Sequence, residues 1–277
     1  MSNIIKTGVI GHPISHSKSP LIHNHWIKKY GLSGEYLPID IPCDDLKSRI
    51  EDLKNESYAG FNVTIPHKES IHELCDEIDE TAAKIGAVNT VIIKDGKLLG
   101  RNTDAFGFIE NIKQSAPNFS LKDKTAFVLG AGGAAKAVIY GLQQQGIKKI
   151  FICNRTRAKA ENLLQHFTNL EVIDWCSNSD DYKASLSESN LLINTTALGM
   201  NGQPELPIDL KSLNKDALVS DIVYAPLITP LLESAQARGN KIITGIGMLL
   251  HQARPAFEAW YGVMPEVDEE LQQKALA

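Results

Sequence analysis

The sequence predicts an α/β chain of two domains, and three features predict it. The first is a β-α-β-α-β alternation over residues 4–65, which implies a mainly parallel sheet with helices packed on it. The second is a fresh apolar strand at Thr125–Leu129 that runs straight into a glycine-rich turn and a helix. The third is size: 277 residues, 43% apolar and 22% charged, fill one large core or two moderate ones, and two is the better prior.

Net charge is −5 and the Lys and Arg residues are spread along the chain. Neither a nucleic-acid face nor a polybasic membrane anchor is expected, which leaves a small-molecule partner. The first residues show no long apolar leader, and no apolar run approaches the roughly 18 residues of a membrane span, so a cytoplasmic protein is expected. Cys43, Cys75, Cys153 and Cys176 are scattered without a C-x-x-C pair, as reduced thiols would be. His23 and His25 face different sides of a helix, so no metal site is expected.

The elements follow in order. A strand over residues 4–10 ends in a segment dense in turn formers and hydroxyls, residues 11–20. Ser19-Pro20 reads as an N-cap with proline at the first helical position, opening a helix to about Tyr30. Ser17 has no such structural duty, and both hydroxyls suit a polyol or carboxylate ligand near a helix N-terminus. A strand at 35–39 and a helix after Pro42 lead to the segment Gly60-Phe61-Asn62-Val63-Thr64-Ile65-Pro66-His67-Lys68-Glu69. Here Phe61, Val63 and Ile65 alternate with Asn62 and Thr64, which predicts one core face and one polar face. Pro66 stops the ladder, so Lys68 emerges on a turn at the strand's carboxyl end, where open α/β sheets place their chemistry. Lys68 is the expected catalytic residue.

Helical segments to about Ile85 are followed by Asn89 at the start of a strand, then by the Asp95-Gly96 hairpin turn. The chain returns to Asn102-Thr103-Asp104, where Thr103 or Asp104 would also serve as the cap of the next helix. The polar residues 118–124 complete a crossing between domains placed from Asp104 to Lys124, and the substrate-side boundaries are set at 1–104 with 245–277 around 105–244.

After the strand Thr125–Leu129, the residues Gly130, Ala131, Gly132, Gly133, Ala134 and Ala135 form G-x-G-x-x-A, the dinucleotide fingerprint in its strand-to-helix setting. Gly130 lets the chain turn, Gly132 lets backbone approach a pyrophosphate, and Ala135 allows close helix packing. The next strand ends at Asn154-Arg155-Thr156-Arg157, with Lys159 beyond. An NAD site places an acid here, about 20 residues past the glycines, to hold the ribose 2′-hydroxyl. This chain offers Arg155, Arg157, Lys159 and the Thr156 hydroxyl, which suit a 2′-phosphate. The expected cofactor is therefore NADP. Strands at 171–174, 190–194 and 217–223 follow, with a loop at 195–200, a Thr229-Pro230 helix start, a short strand at 241–243, and a final helix from Gly245 through Met248 and Gln252.

Taken together, the motifs 13–20, 62–68, 86–90, 102–104, the glycine turn, 154–156 and 245–248 with Gln252 resemble the shikimate dehydrogenase family over almost the whole chain. The resemblance implies NADPH-dependent, reversible reduction of 3-dehydroshikimate to shikimate, on the route to aromatic amino acids. It implies an N-terminal substrate domain completed by C-terminal helices, a Rossmann-type NADP domain inserted between them, and a cleft that closes on ligand. Ser17, Ser19, Asn62, Thr64 and Lys68 would hold the substrate with Asn89, Asp104, Tyr224 and Gln252. NADP would lie on Gly130 to Ala135, Asn154, Arg155, Thr156, Lys159, Thr195 and Ile222, with Gly245 and Met248 beside the nicotinamide. A homodimer is compatible with it. Thr196, Ala197 and Ala225 depart from the commoner family residues.

Lys68 would handle the proton and Asp104 orient it. Burial disfavours a charged amine and a neighbouring carboxylate favours one, so Lys68 acts either as a base or as a charged stabiliser of alkoxide. Two rival readings are a quinate/shikimate dehydrogenase with relaxed cofactor use, and a non-catalytic NADP-binding regulator of the same fold.

Overall fold

The computed structural model describes residues 4–176 and 179–276; the N-terminal reading at Met1 to Asn3 lies outside the described residues. The chain divides into two compact units, Met1–Gly107 with Leu250–Ala277, and Phe108–Leu249. In the first, β1 (Ile5–Gly11), α1 (Ser19–Lys29), β2 (Gly34–Asp40), α2 (Leu46–Asn55) and β3 (Tyr58–Val63) deliver the alternation, with β1 parallel to both β2 and β3. Next come α3 (Lys68–Leu74), β4 (Glu77–Ile78) and α4 (Glu80–Ile85), then the hairpin of β5 (Thr90–Lys94) and β6 (Lys97–Arg101). The hairpin turns on Asp95 (φ 51°) and Gly96 (φ 76°), the left-handed pair that a two-residue turn needs. The sheet order is β2-β1-β3-β5-β6-β4, parallel except where β5 pairs with β3 and β6.

Two local expectations fail in this unit. Phe61 and Val63 enter the core as expected, and Asn62 on the other face meets polar partners, but Ile65, past the ladder, is 75% exposed instead of joining that core. The alternation stops with the strand itself, which ends at Val63. The expected serine cap is also absent: α1 begins at Ser19, Lys18 holds the cap position, and no side chain caps it. The Ser19 hydroxyl is buried against that of Tyr36 instead.

α5 (Asp104–Ser115) leads into the second unit. There β7 (Thr125–Leu129), α6 (Gly133–Gln144), β8 (Lys149–Cys153), α7 (Arg157–Leu163), β9 (Leu170–Val172), α8 (Asp180–Glu188), β10 (Leu191–Asn194), β11 (Leu218–Asp221), α9 (Pro230–Ala237) and β12 (Ile242–Ile243) build a parallel sheet ordered β12-β11-β10-β7-β8-β9. The strand order reverses at β7, and ligands of open parallel sheets bind at the carboxyl ends beside such a reversal. Both faces are covered: Ala126, Val128, Ile150 and Ile152 enter one apolar cluster, and Phe127, Leu129, Phe151 and Cys153 the other.

α10 (Ile246–Tyr261) and α11 (Glu269–Leu276) end the chain. From Leu250 onward α10 belongs to the first unit, where Trp260 Nε1 donates to the Val91 carbonyl at 3.2 Å and Phe257 packs on Trp26. That approach is why residue 60 is glycine: an added Cβ would lie 2.2 Å from Trp260 Nε1. The units part at 107/108 and 249/250, inside α5 and α10, rather than at 104/105 and 244/245. Residues 118–124 lie wholly within the second unit, because a polar stretch between elements need not be a linker. Among the described residues no helix is long and apolar enough to cross a membrane.

Candidate active site

In the first unit the carboxyl end of β3 gives way to a turn closed by the His67 N–H on the Thr64 carbonyl at 3.0 Å, and Lys68 then opens α3. The Lys68 carbonyl accepts from the Val88 N–H at 2.9 Å, which ties this turn to the start of the hairpin. Its Nζ donates to Asp104 Oδ2 at 2.7 Å. Asp104 is the first residue of α5, but Thr103 supplies the cap carbonyl, accepting from Gly107 N–H at 2.9 Å. The carboxylate is therefore left for side chains. The Lys68 and Asp104 side chains are 31% and 15% exposed, desolvated in part yet open to a small molecule.

Asn89 organises what surrounds the pair. Its Nδ2 donates to Asp104 Oδ1 at 2.8 Å and to Thr103 Oγ1 at 3.0 Å, and its Oδ1 accepts from Thr103 N–H at 2.9 Å. Gln252, half-buried on α10, brings Oε1 to within 3.3 Å of the same Nδ2. Asn102 fixes the approach of the α5 start, accepting from Asp104 N–H at 3.0 Å and donating to the Ala87 carbonyl. Asn62 lies one layer deeper, bonded to Tyr36, Thr90 and the Asn89 carbonyl. Thr64 and Ser17 are half-buried, and Ser17 Oγ accepts from Ser19 N–H at 3.3 Å. The first unit thus gathers Lys68, Asp104, Asn89 and Gln252 directly, with Asn62 behind them. Sequence reasoning missed Tyr36, Thr90 and Thr103 as partners.

In the second unit the glycine turn has the geometry that an anion needs. Gly130 sits at φ +105°, and an added Cβ would lie 2.6 Å from Thr195 Oγ1. Thr195 is held there by its hydroxyl, which donates to the Leu129 carbonyl at 2.6 Å. Cβ atoms added at Gly132 or Gly133 meet nothing within 4 Å, and no side chain caps α6. An uncapped N-terminus of a twelve-residue helix with open space before it fits a pyrophosphate. Ala135, on the same turn of α6, is fully buried against the sheet, while Ala131 and Ala134 continue the turn.

At the end of β8, Asn154 Nδ2 donates to the Thr156 carbonyl at 2.8 Å and holds the basic segment in place. Arg157 does not await a ligand: it pairs with Glu161 and Asp174. Its charge at the start of α7 is balanced by those acids, so of the residues expected to suit a 2′-phosphate Arg157 has its partners within the chain. Among the described residues Arg155 and Lys159 take part in no ion pair, and Arg155 lines a cleft of about 580 Å3. Trp175, Ala197, Leu198 and Pro204 give that cleft apolar walls suited to a flat base, and Trp175 went unmarked in the sequence because it falls in no motif. At the end of β11, the buried Asp221 carboxylate accepts from Asn194, Thr229 and the Val223 N–H, and fixes the start of the loop bearing Ile222 and Tyr224. Burial pushes the Asp221 carboxyl and the Tyr224 phenol above their usual ranges. A Cβ on Gly245 would lie 2.3 Å from the Ile222 carbonyl, so these two residues meet through backbone. Met248 is packed in the apolar cluster with Phe108 and Ile243 and is 9% exposed. Among the described residues no three His, Cys, Asp or Glu side chains gather to hold a metal.

Residues 9–91 match the family described as shikimate dehydrogenase substrate binding domain, and residues 111–201 match shikimate / quinate 5-dehydrogenase. A shikimate dehydrogenase (NADP(+)) of Azorhizobium caulinodans is 46% identical over 98% of this chain and 96% of its own length. The chain belongs to the shikimate dehydrogenase family. Shikimate 5-dehydrogenase of Thermus thermophilus, solved in complex with NADP(H) and shikimate, shares 34% identity with a TM-score of 0.87 over 98% of each chain. A quinate dehydrogenase of Corynebacterium glutamicum, solved with NAD, is 30% identical with a TM-score of 0.89 over 99% of each chain. The family's Rossmann-type cofactor fold corresponds to the parallel sheet of the second unit.

Proposed function

We propose that this chain reduces 3-dehydroshikimate to shikimate, reversibly, with NADPH. The observation that carries the reading is the Lys68–Asp104 pair, 2.7 Å apart at a strand end and backed by Asn89. The higher identity to an NADP(+) shikimate enzyme than to the quinate dehydrogenase favours shikimate over quinate.

NADPH, when bound, supplies the hydride. The chain's residues supply the rest. Lys68, fixed by Asp104 at 2.7 Å, delivers a proton to the carbonyl oxygen in the reduction, and its amine takes one back in the reverse direction. Asp104 holds the lysine in place and accepts from a neighbouring ring hydroxyl. Ser17, Ser19, Thr64, Asn89 and Gln252 are the polar groups of the first unit assigned to the substrate's carboxylate and hydroxyls; a site built of such donors discriminates against analogues that lack one. Arg155 and Lys159 are assigned to the 2′-phosphate, and the α6 N-terminus to the pyrophosphate.

The test is an absorbance assay at the nicotinamide band with shikimate and with quinate, each with NADP and NAD. Turnover of shikimate with NADP well above the other three combinations is expected. Faster turnover of quinate with NAD would replace this reading with the quinate one, and no turnover of any pair would support a binding protein.

A further inference from the structure

Tyr36 stands on β2 and has no part in the chemistry described above. It is 1% exposed, its ring lies on that of His23 at 4.1 Å and 3° between planes, and burial pushes its phenol well above the usual range. Its hydroxyl reaches past β1 and donates to Asn62 Oδ1 at 2.7 Å.

That one proton sets a direction for every bond that follows. With Oδ1 turned to the phenol, the Asn62 amide must point Nδ2 at the Asn89 carbonyl (3.2 Å) and at Thr90 Oγ1 (3.0 Å). A flipped amide would set oxygen against carbonyl oxygen. Thr90, now an acceptor from Asn62, has its own proton free to donate, and it does so to Asn89 Oδ1 at 3.1 Å. Asn89 is thereby held with Oδ1 toward Thr90 and Thr103 and with Nδ2 toward Asp104 Oδ1. Turned the other way, it would place an oxygen against the carboxylate. All four bonded residues are buried, with Asn62, Asn89 and Thr90 at 5%, 2% and 0% exposure, so water does not compete for these bonds.

We propose that Tyr36 is a positioning residue: its hydroxyl orients the Asn62 amide and, through Thr90, the Asn89 amide, so that Asp104 always receives a donor and stays aligned on Lys68. The inference rests on the assignment of the chemistry to Lys68 and Asp104.

Tyr36→Phe removes the hydroxyl and keeps the ring stack. The expected result is a fall in kcat of about tenfold or more, with the KM for shikimate changed less than about threefold and NADPH affinity within about twofold. A residue that only braced the fold would lower the active fraction and the melting temperature without this split. Asn62→Ala should show the same pattern, and the Tyr36→Phe/Asn62→Ala double variant should be no slower than Asn62→Ala within about twofold, because both act through one chain of bonds. Losses that multiply, an unchanged kcat in Tyr36→Phe, or a rise in KM alone, as loss of Ser19 contact would give, each overturn the proposal. If Tyr36→Phe melts below the assay temperature, Asn62→Ala and Thr90→Val carry the test, and intact kcat in both overturns it. An active Lys68→Ala would sink the underlying assignment; an inactive Lys68→Ala beside an unaffected Tyr36→Phe sinks only the positioning role.

Discussion

Asn89→Ala is the perturbation whose cost is most directly worked from the geometry. The side chain is 2% exposed and holds Asp104 Oδ1, Thr103 Oγ1, the Thr103 N–H and the Thr90 hydroxyl. Truncation leaves the Thr103 N–H without its partner in a dry site, at about 1–3 kcal/mol. Thr90 keeps its bond from Asn62, so its hydroxyl adds less. The loss should total about 2–4 kcal/mol, which for a chain of this size lowers the melting temperature by roughly 3–7 °C. Asp104 keeps Lys68 but loses its second partner, so kcat should fall by about tenfold to a hundredfold, equivalent to about 1.4–2.7 kcal/mol of barrier. Thermal melts followed by circular dichroism, with kcat measured below the lower midpoint, read both effects. A variant that melts with the wild type and turns over at the wild-type rate would refute the central place given to this amide.

If the guanidinium holds the 2′-phosphate as proposed, Arg155→Ala should weaken NADPH about tenfold while leaving NADH within about twofold, read by fluorescence titration. Equal losses for both cofactors would remove that contact. Burial, opposed by the nearby Asn62, holds His23 down to about 3 from its ordinary 6.5. The unfolded chain therefore takes up this proton first, and the stability present above pH 6.5 is lost as pH falls toward 3, by up to about 1.4 kcal/mol per unit. Urea midpoints across that window should fall less steeply in His23→Phe, and identical slopes would count against the assignment.

Much of the fold was legible because its signals are local. The hairpin at Asp95-Gly96, the glycine turn and the Thr229-Pro230 helix start each depend on the backbone preferences of two or three adjacent residues. α8 was not legible, since Tyr182 and Leu186 are almost its only apolar residues and the surrounding polar run resembles a loop. Lys68 and Asp104 could be marked from their turns, yet Asp104 remained equally readable as a cap until the Thr103 carbonyl was seen in that position. Asn62 was assigned to the ligand by resemblance alone, and its bonds to Tyr36, Thr90 and the Asn89 carbonyl could not be read from a strand's own residues, because β3 lies between two neighbours that the sequence does not name. Tyr36 was invisible for a related reason: a tyrosine in a strand reads as core, and its partner lies 26 residues away. Arg157 looked like a phosphate ligand because its acids, Glu161 and Asp174, are brought to it only by the fold.

The proton role given to the lysine stands or falls on kcat in Lys68→Ala at saturating 3-dehydroshikimate and NADPH, with cofactor affinity measured on the same preparation. A drop of about a hundredfold or more with NADPH affinity within about twofold is the expected result. A loss smaller than about tenfold, in a variant that still binds both ligands, would contradict it.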